Sequence, residues 1–209
     1  MNLQAIAEHT FNVDQLTPGS KVLDVGCRDF KLAIALLDIG CCVCGVDPDP
    51  NITTVPDVPG FIFSRKALVS RPVARDKVGI LRVPDDPYGA YIEHGSNPVK
   101  TLAPGSTESA YEVELIDIVT LSEVLHVDHW TAVKLDCEGS EYEILLDWPG
   151  PISDQISVEF HDHLHGKDMN QTYDLIRWHL EKWYDVHQWK RTGKKAATKN
   201  YWDVLFTLK

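Results

Sequence analysis

Residues 21–50 spell strand, helix, strand. Lys21-Val22-Leu23-Asp24-Val25 is a short apolar run that stops at Gly26, and such a run bounded by a turn residue is a buried strand. Asp29 stands where a helix N-cap belongs. From Phe30 to Ile39 nearly every position except Lys31 and Asp38 is apolar, and Gly40 supplies the stop. Cys42-Val43-Cys44-Gly45-Val46 is a second apolar run, ended by Asp47-Pro48-Asp49-Pro50. A buried strand, a helix and a second buried strand make a right-handed βαβ unit with a parallel pair. A parallel pair needs both faces covered, so an α/β sheet with helices on both sides is expected.

The later chain agrees. Leu121-Ser122-Glu123-Val124-Leu125 reads as a short helix, and Thr131-Ala132-Val133-Lys134-Leu135-Asp136 as a buried strand ending in an acid. Ser140 followed three residues on by Glu143 has the pattern of a capping box, opening a helix that runs to about Trp148. The blander of two readings of Glu141 is a first-turn acid on the solvent side; the other keeps it with the acids at this strand end. Ile156-Ser157-Val158-Glu159-Phe160 is a further strand. Tyr173, Ile176, Leu180 and Trp183 recur at helical spacing, which predicts an amphipathic helix over about 168–183. Strands over 186–190 and 202–208 flank a polar, basic loop. Between about 65 and 118 strands are expected at 78–83 and 111–120, broken by Pro and Gly and with no helix: a β-rich insertion after the strand at 61–63. The whole of 1–209 is expected to form a single domain.

Composition narrows the function. With 44% hydrophobic residues the chain can fill a core without staples, and a formal charge of −11 repels phosphate backbones, so nucleic acid is not the expected partner. No stretch spans a bilayer, and no basic segment followed by an apolar run opens the chain. Five Cys, three of them at 41, 42 and 44, do not form a disulfide framework, so a cytoplasmic location is expected. These three are expected as small strand side chains rather than metal ligands, since nothing at finger-like spacing completes a site.

Ligands of open α/β sheets bind at the carboxyl ends of the strands, where this chain carries Asp24, Asp47, Asp136 and Glu159. Asp47, at the tip of the second strand, is placed to accept hydrogen bonds from ribose hydroxyls, which suits both nicotinamide and adenosyl cofactors. There is no G-x-G-x-x-G to cradle a pyrophosphate, and Asp24 would repel one. S-adenosylmethionine carries an ammonium and a sulfonium and no phosphate, so an acid there favours it. The expected cofactor contacts are Asp24, Gly26, Cys27, Asp29, Asp47 and Pro48.

Asp136-Cys137-Glu138-Gly139-Ser140-Glu141 resembles the D-x-E-G-x-E stretch of FkbM-type methyltransferases. Leu121-Ser122-Glu123-Val124-Leu125 is similar to that family's short T-L-D-E-L helix, and Glu159-Phe160-His161 to the E-x-H that ends its next strand. With Val22-Leu23-Asp24-Val25-Gly26, the resemblance covers about residues 20–165. It implies a class I, Rossmann-like methyltransferase fold with a doubly wound, mostly parallel seven-stranded sheet and an antiparallel C-terminal strand pair. It also implies S-adenosylmethionine as cofactor and methylation of a hydroxyl on a sugar or small metabolite. The family pattern D-x-G-x-N-x-G is broken here by Arg28 and Phe30.

The candidate catalytic residues are His161, Asp136 and Glu138, with His161 as base and the two acids orienting substrate or cofactor amine. The run His161-Asp162-His163-Leu164-His165 beside Asp136, Glu138 and Glu159 has the donor types of a divalent-metal site, but its spacing matches no tight metal signature. No metal is assigned from it. Tyr88, Tyr91, His94 and the basic loop at 190–199 are candidates for the acceptor side. Two other readings stay open: a methyltransferase-like protein that binds without turnover, and a nicotinamide-dependent oxidoreductase.

Overall fold

A computed structural model describes residues 1–84, 90–93, 107–161, 170–190 and 201–209. The chain opens with a hairpin, β1 (Leu3–Ile6) and β2 (His9–Asn12). The βαβ unit follows as β3 (Lys21–Val25), α1 (Lys31–Asp38) and β4 (Cys42–Val46), then β5 (Phe61–Ser64). The insertion holds β6 (Ala67–Leu68), α2 (Arg71–Ala74), β7 (Val78–Pro84), β8 (Tyr91–Glu93) and β9 (Glu108–Ile116). The second half comprises α3 (Ile118–Leu125), β10 (Ala132–Leu135), α4 (Glu141–Leu146), β11 (Gln155–His161), α5 (Asn170–Leu180), β12 (Tyr184–Lys190) and β13 (Tyr201–Leu208).

Seven strands form the main sheet in the order β12-β13-β11-β10-β3-β4-β5. The five from β11 to β5 pair in parallel, and β13 runs antiparallel to both neighbours. The strand order reverses between β3 and β10, the switch point at whose carboxyl side a ligand crevice opens.

The pleat sends alternate residues to opposite faces. Leu23, Val25, Val133, Leu135, Ile156, Val158 and Phe160 pack with α3, α4 and α5 on one face. Val22, Val43 and Ala132 pack with Leu32, Ala33 and Leu36 of α1, and with Phe11 of the hairpin, on the other. Helices cover both faces, which is the doubly wound arrangement. The insertion forms its own four-stranded sheet, β6-β9-β7-β8, around a small core of Leu81, Ile92, Val113 and Leu115. Tyr91 is buried in that sheet; Tyr88, His94 and residues 191–199 of the basic loop lie outside the described residues.

The structure departs from the local sequence pattern in several places. The strand expected to reach Thr120 ends at Ile116, because Asp117 accepts hydrogen bonds from the Val119 and Thr120 N–H groups and starts α3 there. One helical turn, α2, interrupts the insertion where no helix was expected. Ser140 is already helical in backbone and makes no side-chain cap, so the capping box does not form. The N-cap of α1 is Phe30, in the left-handed region at φ 57°, and not Asp29; Asp29 instead accepts from the Lys31 N–H at 3.2 Å.

Candidate functional site

The loop after β3 is held from beneath by a lysine. Lys134 and Asp24 are register partners on adjacent parallel strands, on the face away from α3–α5. The Lys134 Nζ lies 3.2 Å from Asp24 Oδ1 and 3.5 Å from Asp136 Oδ2, and it donates to the carbonyls of Val25 (2.9 Å) and Gly26 (2.8 Å). Burial favours a neutral amine, but the carboxylates of Asp24 and Asp136 outweigh it and hold Lys134 above the ordinary lysine value. Asp24, only 1% exposed, is therefore the counter-ion of a buried ammonium.

Gly26 has φ 75°, and a Cβ there would overlap the Asp136 carbonyl oxygen. Its glycine is required by the close approach of the first loop to the end of β10. Cys27 is buried with its thiol against Gly45, and burial first, then Asp24 and Asp47, pushes that thiol far above its ordinary value. Its carbonyl accepts from the Phe30 N–H at 2.6 Å.

Asp47 is 7% exposed and accepts from the Arg28 N–H (3.1 Å) and the Asp49 N–H (2.9 Å). Burial raises its pKa, against the pull of those two donors. Pro48 is half-buried beside it, and Asp29 is exposed at the rim of the loop. Phe30 takes a left-handed conformation that glycine adopts readily and that costs an aromatic residue about 1–2 kcal/mol. Its ring is held edge-on by Phe61 and Phe63, each 5.6 Å away between centroids, so packing offsets the strain.

The second half of the site sits on β10, α4 and β11. Glu141 is completely buried, not solvent-facing. One oxygen accepts from the His161 N–H at 2.9 Å and lies 2.9 Å from His161 Nδ1; the other accepts from the Gly139 N–H at 2.8 Å. The opposite ring nitrogen, Nε2, faces Asp136 at 3.5 Å and Glu138 and Glu159 at 3.9 Å. Burial alone would lower the pKa of His161; the carboxylates of Glu141, Glu138 and Asp136 push it up to about 10. His161 is an imidazolium at neutral pH and has no lone pair to act as a base, because both nitrogens face carboxylates. Burial works against ionisation of Asp136, but Lys134, His9 and His161 hold it well below the usual carboxylate range. Glu138 is itself left-handed, at φ 52°, next to Gly139 at φ 106°, and this tight turn presents it to His161. His163 and His165 lie outside the described residues.

The structure thus brings Asp136, Glu138 and His161 together, and gathers Asp24, Gly26, Cys27, Asp29, Asp47 and Pro48 around the ends of β3 and β4. Sequence reasoning missed Lys134 and His9. A lone lysine within an apolar central strand, two residues before an acid, was the available signal for the first. His9, whose Nε2 is 3.5 Å from Asp136 Oδ2, stands in no motif.

No protein-family model and no curated protein matches the chain. Among solved structures it is similar to a fibrillarin pre-rRNA processing protein of Methanococcus jannaschii, at 10% identity over 99% of this chain and 70% of that one, with a TM-score of 0.54. It is also similar to the 1,6-didemethyltoxoflavin-N1-methyltransferase of Burkholderia thailandensis, solved with bound S-adenosylhomocysteine, at 10% identity over 94% and 74% of the two chains with a TM-score of 0.47. A TehB-like methyltransferase of Corynebacterium glutamicum aligns at 11% identity over 94% and 85%, with a TM-score of 0.45. The likeness is one of architecture: the chain has the Rossmann-like methyltransferase fold. Among the described residues no helix is long and apolar enough to cross a membrane.

Proposed function

We propose that this chain is an S-adenosylmethionine-dependent methyltransferase of FkbM type that methylates a hydroxyl group on a sugar or small metabolite, with 1–209 acting as one methyltransferase domain. The observation that carries the reading is the set of carboxylates at the carboxyl ends of β4, β10 and β11, in a fold whose first loop has no phosphate-cradling glycines. A cationic cofactor fits that donor set and a pyrophosphate does not.

The residues present suit the cofactor. Asp47 keeps acceptor capacity beyond its two backbone donors, since a carboxylate offers about four lone-pair sites, and ribose hydroxyls are natural partners for it. Gly26 and Cys27 contribute backbone, Asp29 and Pro48 the accessible rim, and Asp24 acts through Lys134, which clamps the loop. When bound, the cofactor supplies a methyl carbon activated by its sulfonium. Asp136 and Glu138 orient the acceptor hydroxyl or the cofactor's amine. His161, an imidazolium among carboxylates, is a positioning residue for both. Orientation of the two reactants is worth ~7–11 kcal/mol in well-aligned cases.

A thermal-shift assay with S-adenosylmethionine, S-adenosylhomocysteine and NAD tests the reading. A ligand at 100 times its Kd stabilises by about 2.7 kcal/mol, roughly 5–10 °C for a chain of this size. The expected result is a shift with the two adenosyl ligands only, lost in Asp47→Ala. A shift with NAD alone, or with none of the three at millimolar concentration, overturns it.

Phe30 favours a second reading. Its ring fills the place of the family glycine, which suits a methyltransferase-like protein that binds without turnover. Transfer of labelled methyl to a panel of sugars and small hydroxylated metabolites separates the two.

A further inference from the structure

We infer that His9, Asp136 and Glu159 form a divalent-cation site at the carboxyl end of the sheet. Their ligand atoms all lie within 4.8 Å of one another. Ligands about 2.0–2.2 Å from a common ion stand roughly 3–4.4 Å apart, so small side-chain adjustments bring all three onto one cation.

The fold delivers these groups from three separate elements. Lys134 of β10 is in register with Ser157 of β11, so two residues on, Asp136 stands beside Glu159 on the same face. Asp203 of β13 pairs with Glu159 and extends the acidic row. The hairpin lays His9 over this row. Its turn is made by Ala7 and Glu8, both left-handed at φ 46° and 74° although neither is glycine. At the other end of β2, Asn12 exchanges hydrogen bonds with the side chain of Gln155, its N–H donating at 2.8 Å and its carbonyl accepting at 3.3 Å. Asn12 is thus pinned at the start of β11 and His9 comes to rest near its end. His9 and Glu159 are 7% and 8% exposed, so the imidazole and one carboxylate have left water for this place.

Among the described residues Asp24, Asp136, Glu138, Glu141 and Glu159 lie within one connected group with Lys134, His161 and His9, so the three ligand atoms sit among further carboxylates. One imidazole and two carboxylates form a mixed nitrogen–oxygen set of the kind that takes Mn2+ or Zn2+. With only three protein ligands, coordination positions stay open for an oxygen of water or of an acceptor. Cation binding itself does not depend on methyl transfer.

Titration of the full chain with Mn2+, followed by the EPR signal of the free ion, tests the inference without any cofactor. The expected result is one saturable site per chain, displaced by Zn2+, with imidazole nitrogen coupling in the electron spin-echo spectrum of the bound ion. Glu159→Gln should weaken Mn2+ binding at least about tenfold, and His9→Ala should abolish the nitrogen coupling; circular dichroism confirms that each variant is folded. If His9→Ala fails to fold, wild-type coupling and the Glu159→Gln loss carry the test. Mn2+ left free at millimolar concentration together with absence of Zn2+ binding by calorimetry, or nitrogen coupling that survives in folded His9→Ala, overturns the assignment.

Discussion

Replacing Lys134 by Met leaves Asp24 as a buried charge with no cation beside it. Lys134 is 3% exposed, its Nζ is 3.2 Å from the Asp24 carboxylate, and Asp24 is 1% exposed. Removing one partner of such a pair costs about 3–5 kcal/mol. The carbonyls of Val25 and Gly26 lose a charged donor as well, at about 1 kcal/mol each. The expected loss is about 5–7 kcal/mol, a large part of a typical domain's stability, or roughly 10–28 °C in Tm for a chain of this length. Asp24→Asn should be milder, because Lys134 keeps Asp136 at 3.5 Å. In the double variant Asp24→Asn/Lys134→Met, the uncompensated charge is gone and about 2–3 kcal/mol should return. Urea denaturation of the four proteins closes the cycle. If Lys134→Met costs less than about 1 kcal/mol, or the double variant is no more stable than Lys134→Met, the buried pair does not hold this loop and the reasoning fails.

Gly26→Ala should destabilise by about 2–5 kcal/mol, adding left-handed strain to the overlap with the Asp136 carbonyl; a urea midpoint close to wild type would contradict it. Phe30→Gly relieves about 1–2 kcal/mol of backbone strain but empties a buried aromatic site worth about 3–5 kcal/mol. Packing wins, so the variant should be less stable, and a higher Tm would refute the balance. His161 has a folded pKa of about 10 against an ordinary value of 6.5, so its stabilisation is complete below about pH 6.5 and lost as pH rises through 10. Glu141 is lowered from 4.5, with burial opposing and His161 prevailing, so its contribution holds above that value and fades in acid. Wild type should therefore lose stability between pH 7 and 10, while His161→Gln should show less of that alkaline loss in urea midpoints measured across the range.

Much of the architecture was legible along the chain. The strands at 21–25, 42–46 and 132–135 are local apolar runs bounded by Gly, Pro or acids, and burial on both faces is itself what makes such runs uniform. Asp47 and Asp136 were visible because each ends such a run, and Asp24 because it stands one residue before the end of one. Helix starts were less so: Asp117 and Ser140 both look like caps, and only the local backbone decides which one accepts a hydrogen bond.

Charge states and partners belong to the tertiary structure alone. Sequence determined that Lys134 lies in a strand; register decided that it faces Asp24, and the carboxylates gathered beside it outweigh burial and keep it charged. Sequence marked His161 as a candidate base; four carboxylates gathered from the β10–α4 loop, α4 and β11 made it an imidazolium instead. His9 carries no signal of its own, since its meaning comes from a hairpin laid across a sheet whose strands come much later in the chain. Periodicity and turn chemistry act over a few residues and can be read locally. Electrostatics and metal ligation act across space, and they take shape only when the fold has chosen which distant groups are neighbours.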